Sequence, residues 1–225
     1  MIDFESDAIR VELKGVLPTE LLSAIIASTA WVYPAHPSRQ VNSIYFDDSS
    51  YTSLRENLDG LHIRTKYRVR WYGVPDLGTT PTSQSFEVKK KIGRACKKER
   101  YPFNPTKLQW RSDRFFEELD LLWPQLGATT LGLSPVIFCT YHRKYMTGPR
   151  GIRFTVDENI RFLPANSDLK LWCPASQHQM SVLECKCPLE DESFARELIA
   201  QMGVRLFRHS KYARGMALLG LGCYI

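Results

Sequence analysis

Thr65-Lys66-Tyr67-Arg68-Val69-Arg70-Trp71-Tyr72-Gly73, TKYRVRWYG, alternates with a period of two, which is the signature of a β-strand. Lys66, Arg68, Arg70 and Tyr72 fall on one side of such a strand, and Tyr67, Val69 and Trp71 on the other. Which side is buried decides the kind of sheet. A cationic row facing water needs no partner, whereas one facing inward demands anions to meet it.

The same division recurs along the chain. Ile9 to Lys14 sets Ile9, Val11 and Leu13 against Arg10, Glu12 and Lys14, and Gly151 to Asp157 sets Ile152, Phe154 and Val156 against Arg153, Thr155 and Asp157. Further strands are expected at Val41 to Phe46, Phe86 to Ile92, Val136 to Met146 and Ser181 to Cys187. Apolar residues recurring at three and four predict helices over Pro18 to Ser28, Tyr51 to Leu58, Arg111 to Leu122 and Glu192 to Met202. Val74 to Ser85, VPDLGTTPTSQS, is rich in turn residues and reads as a mobile hairpin loop. There is no fixed repeat, low-complexity tract or obvious linker, so residues 1–225 are expected to form a single domain. The expected class is α+β, a largely antiparallel sheet with helices outside it, and so many strands suggest closure into a barrel, which removes exposed edges.

With 44% hydrophobic and 24% charged residues, the composition is that of a folded globular protein and excludes a disordered chain. No apolar run approaches the roughly 18 residues of a spanning helix, and the N-terminal MIDFESDAIR lacks the features of a signal peptide. A cytoplasmic location is the resulting expectation. The net charge of +6, from 30 Lys and Arg against 24 Asp and Glu, biases the chain mildly toward an anionic partner. Among the cysteines at 96, 139, 173, 185, 187 and 223, Cys185-Lys-Cys187 does not have the two-residue gap of structural zinc sites, so reduced, packed thiols are expected.

The charged faces collect Glu12 and Lys14; Arg68 and Arg70; Glu87, Lys89 and Lys91; Arg143; Arg153 and Asp157; Glu184 and Lys186. At 12–14, 87–89 and 184–186 an acid stands two residues before a lysine on one face. Such rows suit a polyanion and a divalent cation bound side by side. They equally suit solvated faces tied by weak cross-strand ion pairs. If they face inward, two guanidiniums about 7 Å apart on one strand repel by about 2 kcal/mol at an effective dielectric near 20. Several together would need a polyanion or many carboxylates to settle them.

The stretches at 41–73 and 86–103, Tyr141-His142-Arg143, GIRFTVDENI (151–160), VLECKC (182–187) and RHSKYARG (208–215) resemble, in order, the successive blocks of the VTC domain. That is the polyphosphate-polymerase domain of the vacuolar transporter chaperone family, within the triphosphate tunnel metalloenzymes. The resemblance runs from about Ile9 to about Leu219. It implies an eight-stranded antiparallel barrel around a basic tunnel with helices packed outside, and therefore inward-facing charged rows. It also implies that Lys14, Arg68, Arg70, Lys89, Arg143, Arg153, Arg208, Ser210 and Lys211 bind phosphates, with Arg70, Arg143 and Lys211 at the catalytic centre. Glu184, helped by Glu12, is implied to hold Mn²⁺ or Mg²⁺. Independently, Ser210 is a plausible N-cap for a helix over the residues after it, whose free N–H groups suit phosphate.

The implied reaction transfers the γ-phosphoryl group of ATP to orthophosphate or to the end of a growing polyphosphate chain, with pyrophosphate as a primer, and releases ADP. The alternatives are a triphosphatase of the same fold or a non-catalytic polyphosphate-binding module. Arg10 stands where the wider superfamily carries the first Glu of an E-x-E-x-K strand, which leans away from the hydrolase, and Arg208 stands where the family often has Lys. Nucleic acid is not expected as a partner, because Tyr67 and Trp71 lie opposite Arg68 and Arg70 and offer no base stacking beside phosphate contacts. No transmembrane segment is expected, and any membrane-protein partner is expected to be encoded separately. His142 is expected to point away from Arg143 as a packed histidine, and His209 to lie beside the phosphate-binding Ser210.

Overall fold

The computed structural model describes residues 10–73, 84–93, 95–102, 132–165 and 176–221, with Glu117 and Pro124 as isolated positions. The helix expected at 111–122 and most of the loop expected at 74–85 lie outside the described residues. Among the described residues nine strands form one sheet: β1 (Arg10–Pro18), β2 (Tyr33–Asp47), β3 (Ile63–Tyr72), β4 (Ser85–Ile92), β5 (Ala95–Pro102), β6 (Ser134–Thr147), β7 (Arg153–Pro164), β8 (Ser176–His178) and β9 (Met180–Pro188). Their order is β1-β9-β7-β6-β2-β3-β4-β5, with the short β8 paired to β7, and every pairing is antiparallel. The helices are α1 (Thr19–Ser28), α2 (Thr52–Leu58), α3 (Glu192–Gln201) and α4 (Lys211–Leu218).

The α+β class and the antiparallel sheet match the sequence reading. The sheet curls until its two end strands, β1 and β5, come into contact, but among the described residues no hydrogen-bonded ladder joins them. A side-chain bridge crosses the seam instead, from Lys89 Nζ on β4 to Glu12 Oε1 on β1 at 2.5 Å.

Alternation along each strand gives the curled sheet two unlike faces. On the convex side, Val11, Leu13, Phe154, Val156, Leu183, Cys185 and Cys187 pack against Leu22 of α1 and Ala195, Leu198 and Ile199 of α3. With the partly buried Ile25 and Ile26 of α1 added, the residues of each helix recur at three and four, so each turns one apolar stripe to the sheet. A second convex cluster joins Ile44, Phe46, Val69, Trp71, Phe86, Val88 and Phe138. Trp71 and Val69 of the opening stretch are thus buried outward, at 1% and 0% exposure.

The concave side is apolar at one end and charged beyond it. Val41, Tyr45, Ile137, Cys139, Tyr141, Ile160, Phe162 and Val182 form the apolar end, and Tyr212 and Met216 of α4 pack into it. A helix inside the curl departs from the expectation of helices on the outside only. Inward positions that are apolar must be covered, and α4 covers them: a Cβ at Gly215 would come within 2.6 Å of Ile137 and Phe162, so glycine permits the close approach. Ile160 and Phe162 share the inward side with Asp157 because the register shifts between Thr140 and His142, where Asn159 adopts φ 52°. That bulge inserts one residue and switches the alternation.

Asp47, at the end of β2, anchors two helices. Its carboxylate accepts from Ser53 N (2.9 Å) and Leu54 N (3.0 Å) at the start of α2, and from the Tyr212 hydroxyl (2.6 Å) of α4. Carboxylates at helix N-termini satisfy free N–H groups and complement the dipole. Through Tyr212 the same group fixes α4, and with it the neighbouring Lys211.

Candidate active site

The cationic row of the opening stretch faces the concave side. Arg70 Nη2 on β3 donates to the Tyr141 hydroxyl on β6 at 3.1 Å, and β2 lies between those two strands. Side chains can meet across an intervening strand only inside the curl. Arg68 Nε and Nη2 both donate to Glu87 Oε2, at 2.7 and 2.5 Å. Glu87 is 1% exposed, and Lys98 Nζ (3.6 Å) and Arg100 Nε (3.4 Å) of β5 approach its other oxygen. Arg70 Nη1 stands 4.0 Å from the same carboxylate. Burial acts to raise the Glu87 carboxyl, but the charges of Arg68, Arg70 and Lys98 outweigh it and hold it well below the usual carboxylate range.

A second centre forms where β6, β7 and α4 meet. Arg143 grips Asp157 in a fork, Nε to Oδ1 at 2.5 Å and Nη2 to Oδ2 at 2.7 Å. Lys211 Nζ, from the first turn of α4, also donates to Asp157 Oδ2. Both cations lie over the Tyr141 ring, Lys211 Nζ at 4.6 Å and Arg143 Cζ at 5.3 Å from its centroid. Burial opposes ionisation of Asp157, yet Arg143 and Lys211 bring its carboxyl down to about 2. The arrangement fixes two cations beside Arg70, through their shared contact with Tyr141.

Across β1 and β9, Glu12 and Glu184 converge on one ammonium: Lys14 Nζ is 3.8 Å from Glu12 Oε2 and 3.5 Å from Glu184 Oε2. Lys186 holds the other oxygen of Glu184 at 3.0 Å. Lys89 pairs with Glu12, not with the Glu87 two residues before it, because the curl brings β4 over β1. Burial would raise both acids, but the Lys89 and Lys14 charges bring Glu12 to about 2, and Lys186 and Lys14 hold Glu184 well below its usual range. Two ionised, hard carboxylates around one cation position fit Mg²⁺ or Mn²⁺, which take one or two carboxylates and complete their shell with phosphate and water. Among the described residues no cluster of three or more metal-binding side chains exists.

Of the residues singled out from the sequence, Lys14, Glu12, Glu184 and Lys89 meet in this last group, and Arg68, Arg70, Arg143 and Lys211 line the concave wall. Ser210 caps α4, accepting from Ala213 N at 3.3 Å, and receives a bond from Lys66 Nζ at 2.7 Å. Arg153 and Arg208 are exposed. Arg153 shares the side of Asp157 by alternation, paired in register with Lys186, while the Arg208 guanidinium lies against Gly60. His142 lies opposite the Arg143 side of β6, in register with Glu158, and His209 touches the site through its carbonyl, which accepts from Lys14 Nζ at 3.5 Å. Cys139, Cys185 and Cys187 are buried free thiols and Cys96 a half-buried one.

Sequence reasoning gave no site role to Lys66, Lys98 or Arg100, and assigned none to Asp157 and Tyr141 beyond their place in a row or motif. For Lys98 and Arg100 the signal was present, two basic residues at strand spacing in KKERY, once β5 is recognised.

A curled antiparallel sheet whose concave face gathers Arg, Lys and paired carboxylates around an apolar plug is the triphosphate tunnel fold. The VTC domain family matches residues 9–220, and the chain belongs to that family. Comparison with curated protein sequences finds no match. Among solved structures the chain is similar to a candidate adenylate cyclase of Vibrio parahaemolyticus (12% identity, 96% of this chain and 99% of that one, TM-score 0.53). It is also similar to a candidate adenylyl cyclase of Hippeastrum described as having a dominant triphosphatase activity (12% identity, 93% and 95%, TM-score 0.52). The PH1819 protein of Pyrococcus horikoshii is a third (14% identity, 94% and 99%, TM-score 0.51). At these identities the likeness is one of fold. No helix among the described residues is long and apolar enough to cross a membrane.

Proposed function

We propose that this protein transfers the γ-phosphoryl group of ATP to orthophosphate, pyrophosphate or the end of a polyphosphate chain, releasing ADP. The observation that carries this reading is the convergence of Arg70, Arg143 and Lys211 on Tyr141 inside the curl of a VTC-family chain. Phosphoryl transfer asks the protein mainly to align donor and acceptor and to neutralise developing charge. Arg68, Arg70 and Arg143 present planar forks to phosphate oxygens, and Lys211 a point charge. Because Asp157 holds Arg143 and Lys211 in place, they need not be ordered when substrate arrives.

Glu184 and Glu12 would hold Mn²⁺ or Mg²⁺, which when bound supplies charge neutralisation on the donor phosphates. Lys14, now between those two carboxylates, is free to turn to phosphate when a divalent ion takes that position. The acceptor is itself an anion, so no dedicated general base is required. Hydrolysis of a triphosphate is the second reading, favoured by the triphosphatase activity ascribed to the Hippeastrum protein of like fold.

Incubation of the protein with ATP, Mn²⁺ and pyrophosphate, resolved on a polyphosphate gel, separates them. Polymer and ADP are the expected products, and both should disappear in Arg70→Ala and in Lys211→Ala. Free phosphate without polymer would establish the hydrolase, and unconsumed ATP would leave a binding module.

A further inference from the structure

The concave face changes character one strand step beyond Arg70 and Arg143. Two positions after Arg70 stands Tyr72, the last residue of β3, and two positions after Arg143 stands Tyr145, near the end of β6. Each lies on the same side as its arginine by alternation. Between them, on β2, Arg39 sets its guanidinium carbon 4.6 Å from the centroid of the Tyr72 ring and 5.0 Å from that of Tyr145. Arg39 is in register with Arg143, but Arg143 is gripped by Asp157. Among the described residues Arg39 has no carboxylate and no hydrogen-bond acceptor, only the two rings. Tyr72 and Tyr145 are half-buried and Arg39 is exposed, whereas Tyr45, Tyr141 and Tyr212 are buried in the apolar end. Two rings and a guanidinium at the mouth of the curl offer flat faces to a flat group.

The next strand adds an unpartnered hydroxyl. Thr155 on β7 stands in register with Tyr145 on one side and with Glu184 of β9 on the other, about 5 Å away from strand to strand. Its neighbours Phe154 and Val156 pack outward, so Thr155 shares the inward side with Asp157. It is only 7% exposed, and among the described residues its Oγ1 has no hydrogen-bond partner. Buried hydroxyls are ordinarily paired, because leaving water without a new bond costs free energy. Thr155 therefore presents an unused donor and acceptor to the interior, between the rings and the carboxylate pair.

We propose that Tyr72, Arg39, Tyr145 and Thr155 form a nucleoside-binding site at this mouth of the curl, with the base lying on the aromatic and guanidinium surface and the Thr155 hydroxyl bonded to the ribose. Stacking of a base on aromatic rings is tolerant of base identity, since every base has a π-face. Arg70 and Arg143 stand one strand step, about 7 Å, further in, so a nucleotide held here points its phosphates at the cations. An inorganic triphosphate reaches the same cations and leaves the mouth unused. That this nucleoside is the one released as ADP rests on the proposed reaction; the site itself does not.

Titration calorimetry with ATP and with inorganic triphosphate, each in EDTA, tests this. Tyr145→Ala and Tyr72→Ala should each weaken ATP binding about tenfold and leave the affinity for inorganic triphosphate unchanged. Tyr145→Phe keeps the ring and should bind both ligands as the wild type does. Thr155→Val removes the hydroxyl at nearly constant shape. It should weaken ATP several-fold but not triphosphate, and should melt no lower than the wild type, because no internal bond is lost. Wild-type affinity for ATP in Tyr72→Ala, Tyr145→Ala and Thr155→Val, or an equal loss for both ligands, would overturn the site; polymer synthesis by the same variants would then leave the proposed reaction standing without it. Tyr145-dependent binding of ATP, with triphosphate unaffected, in a protein that makes no polymer would uphold the site while removing the polymerase reading.

Discussion

Two regions of the same concave wall handle positive charge in opposite ways. Around Asp157, Arg143 and Lys211 share one fully buried carboxylate, whereas Lys66 faces Lys14, Lys89, Arg64 and Arg68 and bonds to a hydroxyl. In the first region one carboxylate ties two cations together, which fixes their positions relative to each other. In the second, the ammonium of Lys66 bonds to a hydroxyl and not to a carboxylate. The proposed phosphoryl transfer asks for cations held in register, and the pairing at Asp157 supplies that for Arg143 and Lys211.

The largest effect is expected from breaking the compensated region. Asp157→Ala leaves a guanidinium and an ammonium buried side by side, and removing one partner of a buried ion pair costs about 3–5 kcal/mol. Urea denaturation should report a loss of that size. Asp157→Asn keeps the shape but loses the charge, and should still cost about 2 kcal/mol or more. A variant as stable as the wild type would mean that Arg143 and Lys211 are held by other contacts.

Acid titration probes the same region more gently. The Asp157 and Glu12 carboxyls lie at about 2 in the folded protein, below their unfolded values near 4. A depressed folded pKa contributes stability that is fully present above the unfolded value and is lost as pH falls through the folded one. Stability should therefore be flat from neutral pH to about 5 and decline between about 4 and 2, by about 2 kcal/mol for Asp157 alone. In Asp157→Asn that decline should shrink by the same amount.

Much of this wall could be read from sequence, and the misses have physical reasons. TKYRVRWYG declared two faces, and the acid-x-Lys rows raised the possibility of an anion site, because strand alternation is local information. The strand Ala95–Pro102 was hidden: ACKKERYP carries charge on both sides, as an end strand of a sheet can, so no apolar alternation marks it. The helix Lys211–Leu218 was legible through its Ser210 cap, but its place inside the curl was not. An apolar stripe such as Tyr212 and Met216 looks the same whether it meets a convex or a concave surface. Partnerships were the least legible. Lys89 pairs with Glu12 across 77 positions of sequence, and Lys66 meets Ser210 across 144, and only the curvature of the sheet brings them together.

The smallest expected effect is the most diagnostic of the contrast. Lys66→Met should make the empty protein more stable at neutral pH, seen as a rise in Tm, because burial and the neighbouring cations disfavour the ammonium. A base whose folded pKa is lowered binds fewer protons in the native than in the unfolded state across the interval between the two values, so wild-type stability rises with pH there. The advantage of Lys66→Met should accordingly narrow as pH climbs toward the ordinary lysine value of about 10. A gain from Met packing alone would stay constant with pH, because it involves no proton. Thermal melts of the two proteins from neutral to alkaline pH distinguish these outcomes. A converging pair of curves marks Lys66 as a residue whose charge is held at a cost to the empty fold.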